Sequence, residues 1–245
     1  MRQSIYQFIN RLKQYIYQKF DKYNVNLPYI IIVLVALVVV VLGINGFIEL
    51  TDTVQNNNIK TFDASVTEEV TSYRQPILTD YFTTVTYIGD VYGYAVVLAL
   101  TIIISRLVFK RWKYVVQISF VLVLSAISNL ILKRFFDRAR PEAEHLVVVK
   151  TLSYPSGHAM SAMAFYGFVI YLFYKYIKNP FLKILAILLT GILILSIGVS
   201  RIYLGVHFPS DIIGGFIAGF IWVVFCILIF NLIEVFRKDP ETPDI

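Results

Sequence analysis

Two short stretches of an otherwise apolar chain place a histidine beside hydroxyl and acidic side chains: Tyr154-Pro155-Ser156-Gly157-His158 and His207-Phe208-Pro209-Ser210-Asp211. His207 and Asp211 are close to one helical turn apart, so the carboxylate can accept the imidazole Nδ1–H and leave Nε2 free as a nucleophile. His158 can supply a proton to a departing alkoxide, and two histidines in opposite starting protonation states predict a bell-shaped pH dependence. Ser156 suits an N-cap, Gly157 permits close backbone approach and Pro209 suits a first helical turn. Both stretches therefore read as helix N-termini, whose free N–H groups and positive dipole ends attract an anion. Lys133, Arg140 and Arg201 add three fixed positive charges. A phosphate fits this chemistry. A divalent metal fits it poorly, because the three cations repel it and Asp137, Glu142 and Glu144 show no ligand spacing. The expectation is catalysis without metal or cofactor, with Lys and Arg stabilising charge on the transferring phosphoryl oxygens.

These residues must be brought together by membrane helices. The chain of 245 residues is 58% hydrophobic and 16% charged, with a mean hydropathy of +0.69. Soluble domains average roughly 45–50% apolar and about 25% charged residues, so a soluble enzyme, a disordered chain and a nucleic-acid module are excluded. The net charge of +6 is read first through loop topology rather than as a sign of an anionic polymer partner. Apolar runs of spanning length occur at Pro28–Leu50, Val91–Phe109, Tyr114–Leu132, Ala159–Ile177, Ile184–Tyr203 and Ile212–Phe230. The expected fold is all-α: an integral membrane six-helix bundle with an amphipathic N-terminal helix and an outer-face loop region. Alternate segments hold 14 and 8 Lys and Arg residues, and the richer side, with both termini, is expected to be cytoplasmic in a multi-pass cell-membrane protein. Five of the eight outer cations crowd into residues 133–150. Spans three and five then run outward and four and six inward, which delivers every unusual residue to the outer face.

The expected organisation is a basic cytoplasmic leader over 1–27, a six-span domain over 28–236 and a cytoplasmic tail over 237–245. Ile5, Phe8, Ile9, Leu12, Ile16 and Phe20 recur at helical spacing in the leader, which suits either an amphipathic helix on the headgroups or a poorly ordered basic tail. The first span lacks a small-residue cleavage pattern and is expected to remain as an anchor. Residues 51–85, with Phe62, Val66, Val70 and Tyr73 weakly helical and Pro76 as a breaker, are expected to cover the outer ends of the bundle. The single Cys226 excludes a disulfide within the chain and reads as packing. His145 reads as an exposed loop residue and Arg134 and Arg138 as headgroup contacts. Asn129, with Ser125 and Ser128, reads as an interhelical hydrogen-bonding group.

The segment Lys133 to Arg140-Pro141 has the pattern K-x6-R-P, residues 155–158 read P-S-G-H, and residues 200–211 read S-R-x5-H-x3-D. In this order the three resemble the signature of the type 2 phosphatidic acid phosphatase family, the lipid phosphate phosphatases, over residues 85–216. The resemblance implies that His207 forms a phosphohistidine, Asp211 orients it and His158 protonates the leaving group. It further implies that Lys133, Arg140, Ser156, Gly157 and Arg201 hold the phosphate. Phe208 stands where relatives often carry Tyr, a difference that bears on substrate fit. The expected activity is hydrolysis of a terminal phosphate monoester or diphosphate of a lipid at the outer leaflet, the tail entering laterally between helices. Phosphatidylglycerophosphate, phosphatidate, diacylglycerol pyrophosphate and undecaprenyl pyrophosphate all suit this frame. The expected partners are this lipid phosphate and the bilayer, not nucleic acid, and no sequence feature points to an oligomeric state. The competing readings are a lipid phosphotransferase using the same histidine and a non-catalytic lipid-binding or transport protein.

Overall fold

The computed structural model describes residues 27–109, 112–142, 144–149 and 151–237, together with Gln7, Arg11 and Gln14. The amphipathic reading of the leader and the tail after Arg237 fall outside the described residues. The described residues form helices and no strands: α1 Leu27–Gln55, α2 Lys60–Ser72, α3 Pro76–Ile88, α4 Val91–Ile104, α5 Lys113–Phe136, α6 Gly157–Tyr176, α7 Pro180–Tyr203 and α8 Pro209–Arg237, with a π turn over Ser105–Phe109 extending α4. The chain divides into two compact units. Residues 42–223 form the larger one and hold every candidate residue; the smaller combines residues 1–41 with 224–245, and in it Cys226 is buried.

Helices α1, α5, α7 and α8 are long and apolar enough to cross a membrane. Helices α3 and α4 pass the same test together but bend by 56° at Gly89-Asp90, where the Asp90 side chain caps α4 by accepting from Val91 N at 2.7 Å. The described residues thus supply four spans, or five if the bent pair counts as one. The expected span at Ala159–Ile177 corresponds to α6, which is not among them. Its composition explains why: it opens on Gly157 and His158, and Ala159, Met160, Ala162, Ala164, Phe165, Tyr166, Phe168 and Val169 are buried. Protein, not lipid, surrounds much of this helix, so it need not be uniformly apolar.

Close packing sets the spacing of α6 and α8. A Cβ on Gly215 would lie 2.7 Å from the Ser156 carbonyl oxygen and 2.9 Å from Ala159 Cβ. One turn on, a Cβ on Gly219 would lie 2.8 Å from Met163 Cβ and overlap the Met160 carbonyl oxygen. This glycine pair lets the two backbones approach as small-residue seams do in membranes. The α7–α8 turn passes through Gly205, whose φ of 78° is the left-handed conformation that favours glycine. Around this turn Arg74 Nε donates to Tyr203 O at 3.0 Å and Tyr203 Oη accepts from Gln75 N at 2.9 Å, fastening the α2–α3 connection to it. The expectation that residues 51–85 form a weakly helical cover thus resolves into two defined helices, the second begun by Pro76.

The seam yields a paired test. Gly219→Ala is expected to destabilise the protein by about 1–3 kcal/mol through overpacking. Gly191→Ala, where a Cβ meets nothing within 4 Å, is expected to be neutral or slightly stabilising. Thermal unfolding of the two variants in detergent checks the contrast; equal transition temperatures contradict it.

Candidate active site

The ends of α5 and α7 and the starts of α6 and α8 deliver the sequence-predicted residues to one place. Lys133 lies in the last turn of α5 and Arg201 in the last turn of α7; both are buried. Ser156 caps α6, its side chain accepting from Ala159 N, and Gly157 follows with no room for a Cβ because Asn129 Oδ1 would lie 2.8 Å away. Asp211 sits in the first turn of α8 and accepts from Phe208 N at 2.9 Å, the reciprocal half of a capping box. Ser156 N also donates to the Asp211 main-chain oxygen at 3.0 Å, joining the two helix starts.

His207 is buried in the short link before α8. Its Nδ1 is 3.2 Å from Asp211 Oδ2, and its Nε2 is 3.2 Å from Arg140 Nη1. A carboxylate only accepts and a guanidinium only donates, so the two contacts together require Nδ1–H and a lone pair on Nε2. Burial pushes the imidazole down to about 4, against the hydrogen bond and charge of Asp211, which raise it, and with Arg140 and Arg201 lowering it further. His207 is therefore neutral near pH 7, with its lone pair facing the cationic group that an incoming anion would meet.

Arg140 and Lys133 share a loop. Arg140 Nε donates to Thr151 O at 2.6 Å and Nη2 to Thr151 Oγ1 at 3.1 Å, while Lys133 Nζ donates to Thr151 Oγ1 at 3.1 Å and Leu152 O at 2.6 Å. Arg201 Nη1 donates to Thr86 Oγ1 at 2.7 Å, whereas its Nε is buried without a hydrogen-bond partner. Arg140 is drawn below the usual guanidinium value, chiefly by burial. Three mutually close cations, one with an unpartnered donor, form a site suited to an anion. His158 lies within electrostatic reach of His207, Lys133, Arg140 and Arg201. It also lines a cleft of about 520 Å³ with Gly89, Asp90, Tyr94, Leu98 and Leu130. That cleft lies between α4, α5 and α6, so it joins apolar helix faces to the polar centre.

Several residues of this centre were not apparent from the sequence. Arg138, expected to be a headgroup contact, instead bonds Asp211 Oδ1 at 2.6 Å through Nη1 and Asp63 Oδ2 at 2.8 Å through Nη2. Asp63, on α2, is buried and accepts from Ser210 N at 2.9 Å and Ser210 Oγ at 2.6 Å. Ser153 Oγ donates a short hydrogen bond to Asp211 Oδ2. A buried acid on a polar helix leaves no periodic signal, and Ser153 lies just before the recognisable P-S-G-H; an arginine spaced from Arg140 by one residue was the one available hint. Asn129 does cross to a neighbouring segment, donating to Pro155 O at 3.0 Å. Its expected companions do not: Ser128 bonds Leu124 O in its own helix, and Ser125 Oγ is buried without a hydrogen-bond partner. His145 is exposed, as read, and its Nε2 lies 2.9 Å from Pro141 O.

The family model of the PAP2 superfamily matches residues 114–233, which contain all the sequence-predicted site residues. The chain is 31% identical over 198 residues to phosphatidylglycerophosphatase B of Bacillus subtilis strain 168, covering 78% of this chain and 91% of that protein. Its fold is similar to the crystal structure of a transmembrane PAP2-type phosphatidylglycerolphosphate phosphatase from Bacillus subtilis, with a TM-score of 0.71, 29% identity and coverage of 81% of this chain and 98% of that one. The fold is also shared with LpxE of Aquifex aeolicus, at a TM-score of 0.55 and 24% identity, over 67% of this chain and 93% of the other. A relative matched along nearly its full length, together with a family model spanning the helices that hold the buried histidine and its cations, leads to one conclusion: the chain belongs to the PAP2 superfamily.

Proposed function

We propose that this protein is a membrane lipid phosphatase that removes a terminal phosphate from a lipid through a phosphohistidine on His207. The observation that carries the reading is the buried imidazole held by Asp211 on one nitrogen and presenting a lone pair to Arg140 on the other. In the first step the Nε2 lone pair forms a bond to phosphorus while the ester P–O bond breaks, and His158 protonates the leaving alkoxide. The imidazolium charge that develops on His207 is stabilised by Asp211. In the second step His158, now neutral, takes a proton from water as the oxygen attacks phosphorus; the P–N bond breaks and its electron pair returns to His207. Lys133, Arg140, Arg201, the Ser156 hydroxyl and the Gly157 N–H hold the phosphoryl oxygens through both steps, so no divalent metal is required.

Phosphatidylglycerophosphate is the leading substrate, because the relative and the similar structure from Bacillus subtilis carry that activity in their names. The cleft between α4, α5 and α6 offers a lateral path for the acyl chains with the phosphate end at His158. In this reading α6 is also a span, the fourth of six, both termini are cytoplasmic and the site opens to the outer leaflet.

Four measurements test this reading. With purified protein, phosphate release is expected from phosphatidylglycerophosphate in water without any acceptor, and faster than from phosphatidate, diacylglycerol pyrophosphate or undecaprenyl pyrophosphate. A strict need for a lipid or sugar acceptor would mean a transferase. His207→Ala is expected to abolish turnover and labelling, while His158→Ala still forms the phosphoenzyme from a substrate with a good leaving group but loses about 10²–10⁴-fold in turnover of the lipid. Activity is expected to survive exhaustive chelation; loss restored by a divalent ion overturns the metal-free scheme. The neutral form of His207 is the reactive one, so its limb in kcat/KM, after correction for ionisation of the substrate phosphate, is lost as pH falls through about 4. A His207 limb near the ordinary value of about 6.5 contradicts this assignment.

A further inference from the structure

We infer that Asp63 and Arg138 are positioning residues: Asp63 holds the Arg138 guanidinium, and Arg138 fixes the Asp211 carboxylate so that its second oxygen stays on the His207 ring. The inference rests on the phosphatase reading and extends it to an element outside the recognisable motifs. Arg138 Nη1 donates to Asp211 Oδ1 at 2.6 Å and to Ser210 Oγ at 2.8 Å, and Nη2 donates to Asp63 Oδ2 at 2.8 Å. Ser210 closes the ring by donating to Asp63 through both N and Oγ. The guanidinium carbon lies 4.3 Å from the centroid of the Phe208 ring, so one face of the fork is covered.

Both arms of this arginine are committed to carboxylates. Arg138 does not share the Thr151 and Leu152 contacts of Lys133 and Arg140, which separates its task from phosphate binding. With Oδ1 of Asp211 taken by Arg138, Oδ2 is left for His207, Ser153 and Phe208 N. The carboxylate cannot rotate without giving up the charge-assisted contact from Arg138 Nη1 to Oδ1. The charges matter equally. Arg138 alone would neutralise Asp211; Asp63 restores a net negative charge to the group, which favours the imidazolium that forms when His207 attacks. Asp63 is 2% exposed on α2, so the cover over the site contributes this charge through a fixed contact and not through solvent.

The test compares Asp63→Asn, Arg138→Lys, Arg138→Gln and the double variant Asp63→Asn with Arg138→Gln. Asparagine keeps an acceptor for Ser210 and removes the charge; lysine keeps the charge and loses the fork. Loss of one charge-assisted contact in this chain is expected to lower kcat about tenfold or more with KM changed less than about twofold. Asp63→Asn is expected to add no further loss to Arg138→Gln, because the first acts through the second. Imidazole ¹⁵N signals of His207 give a readout independent of turnover: one Nδ1–H tautomer in the wild type and a mixture of tautomers in Asp63→Asn and Arg138→Lys. Unchanged kcat and unchanged ring signals in folded Asp63→Asn overturn the inference. So do additive losses in the double variant, or a rise in KM without a fall in kcat, which would make Arg138 a substrate contact. If Asp63→Asn fails to fold, Arg138→Lys decides by the same readouts. A wild-type protein that hydrolyses no lipid phosphate defeats the phosphatase reading, while the tautomer comparison still decides the positioning role.

Discussion

A single buried carboxylate organises this centre. Asp211 is inaccessible to solvent, and an unpaired charge in that setting is costly by several kcal/mol. Its side chain is satisfied by four donors drawn from three parts of the sequence: His207 Nδ1, Ser153 Oγ, Phe208 N and Arg138 Nη1. Its main-chain oxygen takes a fifth hydrogen bond from Ser156 N. The requirement to satisfy one acid therefore draws the start of α6, the start of α8 and the loop after α5 together. The tautomer of His207 follows from the same contact, because the acid can only accept.

Around this acid, charge is arranged in two layers of opposite purpose. Lys133, Arg140 and Arg201 form a cationic cluster, tolerable because a helix end and a shared loop carry part of the hydrogen bonding. Arg138 is close in sequence to Arg140 but points into carboxylates on both sides. Two arginines one residue apart thus serve opposite partners. The segment between α5 and α6 that carries them is non-helical and begins at Asp137, whose φ is 44°.

Much of this centre could be read from the chain alone. Apolar runs of spanning length exposed the membrane helices, and Ser156, Pro209 and the four-residue spacing of His207 and Asp211 announced helix starts through local chemistry. What escaped was set by tertiary contact. Asp63 carries no local mark, since its role depends on α2 lying beside Ser210, a pairing across 147 positions. Arg138 looked like one more interfacial cation until the acid on its far side was visible. The spanning-length run at Ala159–Ile177 does not by itself show how far this helix is enclosed by others, which its buried Ala, Met and Phe side chains reveal. The bend at Gly89-Asp90 leaves no mark in hydropathy, because the apolar run of spanning length begins only at Val91, beyond it.

The glycine pair at 215 and 219 gives the machine a fixed gauge. Because α6 and α8 pack closely there, the separation of His158 in the first turn of α6 from His207 just before α8 is held by contact distance and leaves little slack for drift. Divergence toward new lipids then has one inexpensive outlet. The wall facing α4 and α5 can be resurfaced freely, whereas the α6–α8 side is a hard stop, so changes in appetite are channelled to the flank away from the acid and leave the chemistry intact.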